Sequence, residues 1–361
     1  MTIQGRKWLT TAIALALLAA VLLVGRCAPS APSEKGKAGK GTSDLAIAAQ
    51  KVYVAPGDLD EYYMFASGGH SGQIYVYGIP SMRHLSTIPV FTPYPATGYG
   101  FDDESKKMLG GELTWGDVHH PSLSETGGDY DGRWLFVNEM NGRLARIDLR
   151  DFKTRQILGP IPNVSGNHAS AFVTPNTEYS VMASRFSIPI PKGTAMEVAK
   201  YATDYKGVIT GIKIDPKSGE MSFGWQIVMP PFDYDLGDAG KKASEGWVFF
   251  TSYNTERATG KLEVTSTQKD RDYIAAVDWK LAEKSAAEGK GKLIGGVKVL
   301  DPKEIPGLVY FLPCGKSPHG VDVAPDGKTV NTTAHIDEQQ QNSFHAIRSF
   351  GPRRGRMAPV T

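Results

Sequence analysis

The chain has 361 residues, of which 41% are hydrophobic and 22% charged, a composition typical of a globular protein with a substantial core. Its 40 basic and 38 acidic side chains nearly cancel, so no nucleic-acid-binding surface is indicated, and its two cysteines exclude a disulfide framework. The 40 glycines and 23 prolines favour a turn-rich, all-β architecture.

The N-terminus has the pattern of an export signal. Arg6 and Lys7 precede an apolar run at residues 8–25. That run is shorter than the roughly 20 residues that span a bilayer, so residues 1–27 are predicted to be a signal peptide, with an uncleaved membrane anchor as the alternative. The absence of a twin-arginine pair favours Sec-dependent export to the periplasm. Cys27 raises the alternative of lipidation, but Arg26 stands where a lipoprotein signal has a small residue.

After a Pro-, Ser-, Gly- and Lys-rich stretch at 28–45, predicted to be a flexible linker, short strand patterns follow one another. Two hairpins are predicted, one around Asn141-Gly142 and one around the turn at 215–219. The predicted strands are 73–77, 134–137, 144–149, 208–214, 222–228, 247–252, 273–278, 293–299, 308–312 and 321–323, and the predicted helices are 194–203 and 279–288. Many short strands with few helices favour a sandwich, a barrel or a propeller.

An internal repeat favours the propeller. His120, His168 and His319 each precede a short strand, a polar turn and a second strand. The first two lie about 50 residues apart and the third about three times that distance further on, a period typical of propeller blades. At that period residues 46–330 have room for about five blades, so the ring is predicted to be incomplete.

The repeat also predicts a metal site. Equivalent positions of propeller blades surround one axis, so these imidazoles are expected to converge, with His119 beside them. Clustered imidazoles without thiolates suit Cu, Zn, Fe or Ni, and copper is the metal we favour. The alternative is that each histidine is structural, and adjacent strand residues such as His119 and His120 point to opposite faces unless the strand is irregular. The histidines without the repeat position are His70, His84, His335 and His345.

Several motifs resemble the copper-binding motifs of nitrous-oxide reductases. They are WGDVHHP at 115–121, GNHAS at 166–170 and SPHGVDV at 317–323, together with GHSG at 69–72 and the stretch 134–146. The resemblance extends from about residue 44 to residue 330. It implies a seven-bladed β-propeller that is incomplete here and a tetranuclear, sulfide-bridged copper centre on seven histidines. A dinuclear copper centre belongs to a C-terminal cupredoxin domain of the family.

The resemblance assigns roles to individual residues. The matching positions are His119, His120, His168 and His319 for the copper cluster, Asp117 for a carboxylate that orients an imidazole, and Tyr253, Glu256 and Asp270 for a calcium ion. For Glu256 and Asp270 the alternative is a pair of solvated loop carboxylates. Ser317 stands where the family has an asparagine near its ligand.

The implied reaction is the two-electron, two-proton reduction of N₂O to N₂ and water. The implied partners are a small electron donor, such as a c-type cytochrome or a cupredoxin, and a second copy of the full-length chain. Residues 331–361 lose the strand pattern and become rich in Gln, Ser and Arg, so we expect a disordered tail from a frameshift or truncated gene, with a natural short paralogue as the alternative. The chain is therefore predicted to be a fragment that is inactive alone.

Two other functions stay open at this stage. A secreted propeller could bind a protein or a carbohydrate without catalysis, with its histidines structural. A single-zinc hydrolase on the same fold is the weaker alternative, because no carboxylate base is paired with the histidines in the sequence.

Overall fold

A computed structural model describes residues 40–92, 102–108, 116–168, 170–254, 272–315 and 318–334. The predicted signal peptide and Cys27, most of the predicted linker, and the tail with His335 and His345 lie outside these residues. So do Ser317, Glu256, Asp270 and the side chain of Tyr253, and with them the predicted calcium site.

The chain divides into two compact units after Asp58. The described part of the first unit contains helix α1 (Lys40–Val52). No helix was predicted there, and α1 crosses the expected boundary between linker and propeller at residues 45 and 46. Among the described residues, none of the helices is both long and apolar enough to cross a bilayer.

The second unit is made mostly of short strands, which confirms the all-β prediction. Its strands are β1 (Tyr62–Ser67), β2 (Gln73–Ile79), β3 (His84–Pro89), β4 (Val118–Thr126), β5 (Asp129–Glu139), β6 (Arg143–Asp148), β7 (Lys153–Leu158), β8 (Tyr179–Ala183), β9 (Ile188–Pro189), β10 (Tyr205–Ile214), β11 (Met221–Met229), β12 (Asp233–Ala239), β13 (Trp247–Asn254), β14 (Asp272–Asp278), β15 (Lys292–Ile294), β16 (Val297–Leu300), β17 (Val309–Cys314), β18 (Pro318–Val323) and β19 (Val330–Ala334). Its helices are α2 (Asp103–Met108), α3 (Tyr201–Asp204) and α4 (Trp279–Ala287), with 3-10 turns at Val198–Lys200 and Lys242–Ser244.

The described strands form five sheets. In order of hydrogen-bonded neighbours they are β1-β2-β3, β4-β5-β6-β7, β15-β16-β11-β10-β8 with β9 on β10, β12-β13-β14-β17, and β18-β19. All neighbours are antiparallel except β11 and β16. None of these sheets closes on itself, and their arrangement as blades of a ring stays a prediction.

Most of the predicted strands are present, and the differences have local causes. The hairpins form at the predicted turns, because Gly142 and Gly219 take the positive φ angles of 82° and 74° that these turns require. The predicted strand 293–299 was wrong: Gly295 and Gly296, at φ 63° and 84°, turn the chain between β15 and β16. The predicted helix 194–203 is reduced to a 3-10 turn and α3. Strand β19 continues to Ala334, past the expected boundary at residue 330.

The hydrophobic core lies between successive sheets. Neighbouring sheets share one buried cluster in each case, represented by Ile74 and Leu135, Phe136 and Ile212, Trp225 and Phe250, and Phe249 and Val321. Each fully buried side chain of this size contributes roughly 1.5–3 kcal/mol to folding. Cys314 is buried in the last of these clusters.

This packing aligns the first strands of the sheets. In every sheet the strand that comes first in the chain, namely β1, β4, β8, β12 or β18, lies at an edge. Of these edge strands, β1 contacts β4, and β12 contacts both β8 and β18. Residues near the starts of these strands are therefore neighbours although they are far apart in the sequence.

Candidate metal centre

Four histidine rings meet where the edge strands begin. His119 and His120 lie in β4, His168 lies in the segment before β8, and His319 lies in β18. The ring centroid of His168 is 4.6 Å from that of His119, 5.6 Å from that of His120 and 6.5 Å from that of His319. One potential ligand nitrogen of each of His119, His120 and His168 lies within 4.8 Å of the other two. Two nitrogens bound to one ion at about 2.0 Å are at most about 4 Å apart, so a small adjustment lets these rings share an ion.

A local irregularity of β4 lets both adjacent histidines face the site. The pairing of β4 with β5 shifts register between His119 and Ser122, and His120 has a positive φ of 45°. Such a bulge breaks the alternation that points neighbouring side chains to opposite faces. The ring centroids of His119 and His120 are consequently only 5.7 Å apart.

The carboxylate of Asp117 lies beside the ring of His119. Its Oδ1 lies 2.9 Å from Nε2 of His119, and its Oδ2 lies 3.3 Å from Nδ1 of the strongly exposed His70. The short contact to His119 lacks hydrogen-bond alignment, so Oδ1 is a buried oxygen without a bonded partner among the described residues. Nδ1 of His119 is left for another ligand.

A second carboxylate, which sequence reasoning missed, stands behind two other histidines. Asp235 in β12 has a side chain that is 1% exposed. Its Oδ1 is hydrogen-bonded to Nδ1 of His168 at 2.8 Å, and its Oδ2 lies 3.4 Å from Nε2 of His319 and 3.2 Å from Nη1 of Arg185. No strand was predicted at β12. Its position in the chain could have indicated a role at the site, because Asp235 lies near the start of the first strand of its sheet, as His119 and His319 do in theirs.

The charge states of these groups suit metal binding. Burial would raise the pKa of Asp235, but the hydrogen bond with His168 and the nearby Arg185 lower it below its ordinary value, so the carboxylate is charged at neutral pH. Burial, with the charges of His168 and His119 adding to it, lowers the pKa of His120 from 6.5 to about 4. His120 is therefore a neutral imidazole at pH 7, which is the form that binds metals.

The residues present fit a metal ion. Two buried carboxylate oxygens, Oδ1 of Asp117 and Oδ2 of Asp235, lack an aligned hydrogen bond within the described part of the chain, and each faces an imidazole nitrogen. Carboxylates behind ligand imidazoles are typical of metal centres, where they hold the ring and its tautomer.

No protein-family model matches the chain, but curated relatives do. The nitrous-oxide reductase of Pseudomonas fluorescens is 35% identical over 292 residues, which are 78% of this chain and 44% of the relative. That of Stutzerimonas stutzeri is 34% identical over 290 residues, 77% of this chain and 44% of the relative. That of Cupriavidus necator is 31% identical over 360 residues, 90% of this chain and 52% of the relative. The chain belongs to the nitrous-oxide reductase family. It spans about half the length of the curated relatives it matches.

In this partial nitrous-oxide reductase a carboxyl close to the centre lowers stability at neutral pH. Burial raises the pKa of Asp233 from 3.8 to about 6, against the opposing charge of Arg185. A raised carboxyl pKa means that the fold favours the protonated form. The stabilisation that the protonated side chain of Asp233 contributes is complete below pH 3.8 and is lost as the pH rises through 6.

Replacing Asp233 with asparagine is therefore expected to raise the free energy of unfolding at pH 8 by up to about 3 kcal/mol, at 1.36 kcal/mol per pKa unit. The gain should vanish near pH 4. Urea unfolding of Asp233→Asn and the unchanged chain at both pH values measures it, with the exposed Asp44→Asn as the matched control. An equal difference at the two pH values would contradict the assignment.

Proposed function

We propose that this chain supplies four histidine ligands of a copper centre that reduces nitrous oxide to N₂ and water in the whole protein, and that its five sheets are blades of a β-propeller. The observation that carries the proposal is the meeting of His119, His120, His168 and His319 in front of two buried carboxylates. The names of the relatives support the same reaction.

Copper suits the donor set. The four side chains are imidazoles, and no thiolate lies in the group of three whose nitrogens are closest together. When bound, copper supplies the redox chemistry that delivers two electrons to N₂O. The chain's own residues would hold the ligand rings: Asp117 faces Nε2 of His119, and Asp235 is hydrogen-bonded to Nδ1 of His168 and faces Nε2 of His319.

Other parts of the proposal rest on the resemblance alone. They are a calcium ion at Tyr253, Glu256 and Asp270, electron delivery by a c-type cytochrome or a cupredoxin, and a homodimer of the whole protein. Sec-dependent export to the periplasm is a further part of the proposal and rests on the N-terminal sequence pattern. The resemblance implies seven cluster histidines, and four of them have counterparts among the described residues. We therefore propose that the chain by itself binds copper without reducing N₂O.

Copper reconstitution tests this function. The purified chain is incubated anaerobically with Cu(I) and sulfide, desalted and then oxidised to a Cu(II)-containing state, and its copper content and visible spectrum are measured. We expect stoichiometric copper retention and intense visible absorption. A colourless, metal-free protein would refute the proposal and favour a non-catalytic binding propeller, and viologen-linked N₂O consumption by the chain alone would contradict its predicted inactivity.

A further inference from the structure

A cavity of about 610 Å³ lies along the same edge strands that carry the histidines. Its wall includes Ser122, two residues after His120, and Ser170, two residues after His168. A second cavity of about 420 Å³ shares Tyr130, Lys241 and Val323 with the first. The two cavities therefore adjoin each other and are together called the inner cavity below, and the wall of the first includes residues that follow candidate ligands by two positions in the sequence.

The wall of the larger of these two cavities carries three carboxyl groups and one ammonium group. These are Glu125, Asp238, Asp322 and Lys241. Such groups are not expected in the wall of a cavity that only binds or conducts an apolar gas, because burying charged side chains costs free energy unless they are solvated or paired. Their presence indicates water inside the cavity.

Glu125 is the decisive group. It is only 8% exposed, and its backbone is held by Thr177, whose hydroxyl accepts from the Glu125 amide at 2.8 Å and donates to the Glu125 carbonyl at 2.7 Å. Its Oε1 lies 3.4 Å from Nζ of Lys241. Its Oε2 is buried and has no hydrogen-bond partner within the described residues, so a carboxylate oxygen is held in the cavity wall without a bonded partner.

Asp238 is a second, partly buried carboxyl in the same wall. Its Oδ2 accepts from the amide of Val323 at 2.8 Å, and its Oδ1 accepts from the amide of Ala239 at 2.8 Å. Burial raises the pKa of both Asp238 and Glu125 above the ordinary values. Carboxyl groups with raised pKa values exchange protons closer to neutral pH than exposed ones do.

We infer that the inner cavity is a water-filled proton route that runs past Glu125 to the histidine centre. The inference rests on the proposed function, in which N₂O, two protons and two electrons give N₂ and one water. The electrons come from the small electron-transfer protein, and the route supplies the two protons and takes away the water. Glu125 accepts a proton from cavity water on Oε2 and returns it to the next water, with Lys241 balancing its negative charge.

Charge-selective labelling tests whether the cavity is hydrated. Ser122→Cys is introduced into a chain with Cys27→Ser and Cys314→Ala, and cationic and anionic methanethiosulfonate reagents of matched size are compared. We expect the cationic reagent to react at least about tenfold faster, because acidic walls concentrate cations, and Glu125→Gln to reduce that ratio. Ala287→Cys, exposed at the end of α4, is the control and should react with both at similar rates. A Ser122→Cys thiol that is unreactive, or reacts without charge preference, would overturn the inference.

Proton uptake tests the route itself. The copper-loaded chain is first oxidised to its Cu(II)-containing state and is then reduced in a stopped-flow instrument with a pH indicator dye. Glu125→Gln is expected to retain its copper and to take up protons at least roughly tenfold more slowly, while the exposed Glu304→Gln matches the unchanged chain. Uptake by Glu125→Gln at the unchanged rate would overturn the route and leave the proposed function intact. A chain that binds no copper would overturn the proposed function and the proton route, and labelling would still decide whether the cavity is hydrated.

Discussion

Replacing His168 with alanine is expected to weaken copper binding by about 100-fold or more. Losing a residue that only hydrogen-bonds to a metal ligand typically costs about 10- to 100-fold. The ring of His168 lies nearest the middle of the site, 4.6–6.5 Å from the other three centroids. Its loss removes one donor and separates His319 from the pair in β4. Competition with a chelator of known copper affinity measures the change.

His84→Ala is the matched control for this variant. The ring of His84 packs against Tyr75 and Tyr77, and its Nε2 lies 3.0 Å from the hydroxyl of Thr87, so it belongs to the first sheet and not to the histidine centre. Copper affinity should stay unchanged in His84→Ala. Equal losses in both variants would indicate nonspecific binding by surface imidazoles, and an unchanged affinity in His168→Ala would remove the centre altogether.

Replacing Asp235 with asparagine is expected to weaken copper binding by about 10- to 100-fold while all four imidazoles remain. The charged carboxylate receives the Nδ1 hydrogen bond of His168 and faces both His319 and Arg185. An amide of the same size has one acceptor oxygen and no charge, so it can no longer hold both rings in place. The electron paramagnetic resonance spectrum of bound Cu(II) should change as well, because the ligand rings rotate.

The control for Asp235 is another buried aspartate. Asp148 is 3% exposed and pairs with Arg150 at 2.7 Å. Asp148→Asn is expected to lower the unfolding temperature without changing copper affinity or the Cu(II) spectrum. If Asp148→Asn lost as much affinity as Asp235→Asn, the effect would be one of general stability and the orienting role of Asp235 would be refuted.

The carboxylates of Asp117 and Asp235 support the imidazoles from different parts of the fold. Asp117 comes from the segment just before β4 and Asp235 from β12, so the imidazoles are supported from two different sheets. Each sheet is fixed by a buried cluster shared with its neighbour. Because Asp235 lies in β12, His168 in the segment before β8 and His319 in β18, a change in that packing would separate them, which couples folding of the sheets to metal binding.

The sequence alone determined the features that depend on local patterns. Alternating strands and glycine-containing turns predicted the all-β class and the hairpins at Asn141-Gly142 and at 215–219, because side-chain alternation and positive φ angles are local properties. The common position of His120, His168 and His319 before their strands singled out three of the four candidate ligands, and the HH doublet added the fourth.

Only the tertiary structure decided which residues support the ligands and what lies beside them. Asp235 is one of several acidic residues between 233 and 238, and nothing in its local sequence separates it from Asp233 or Asp238. In the fold, Asp235 is hydrogen-bonded to His168 and faces His319. Burial raises the pKa of Asp233, and Asp238 lines the inner cavity. The cause is that desolvation and pairing depend on contacts between strands up to 85 residues apart, as between Asp238 and Val323.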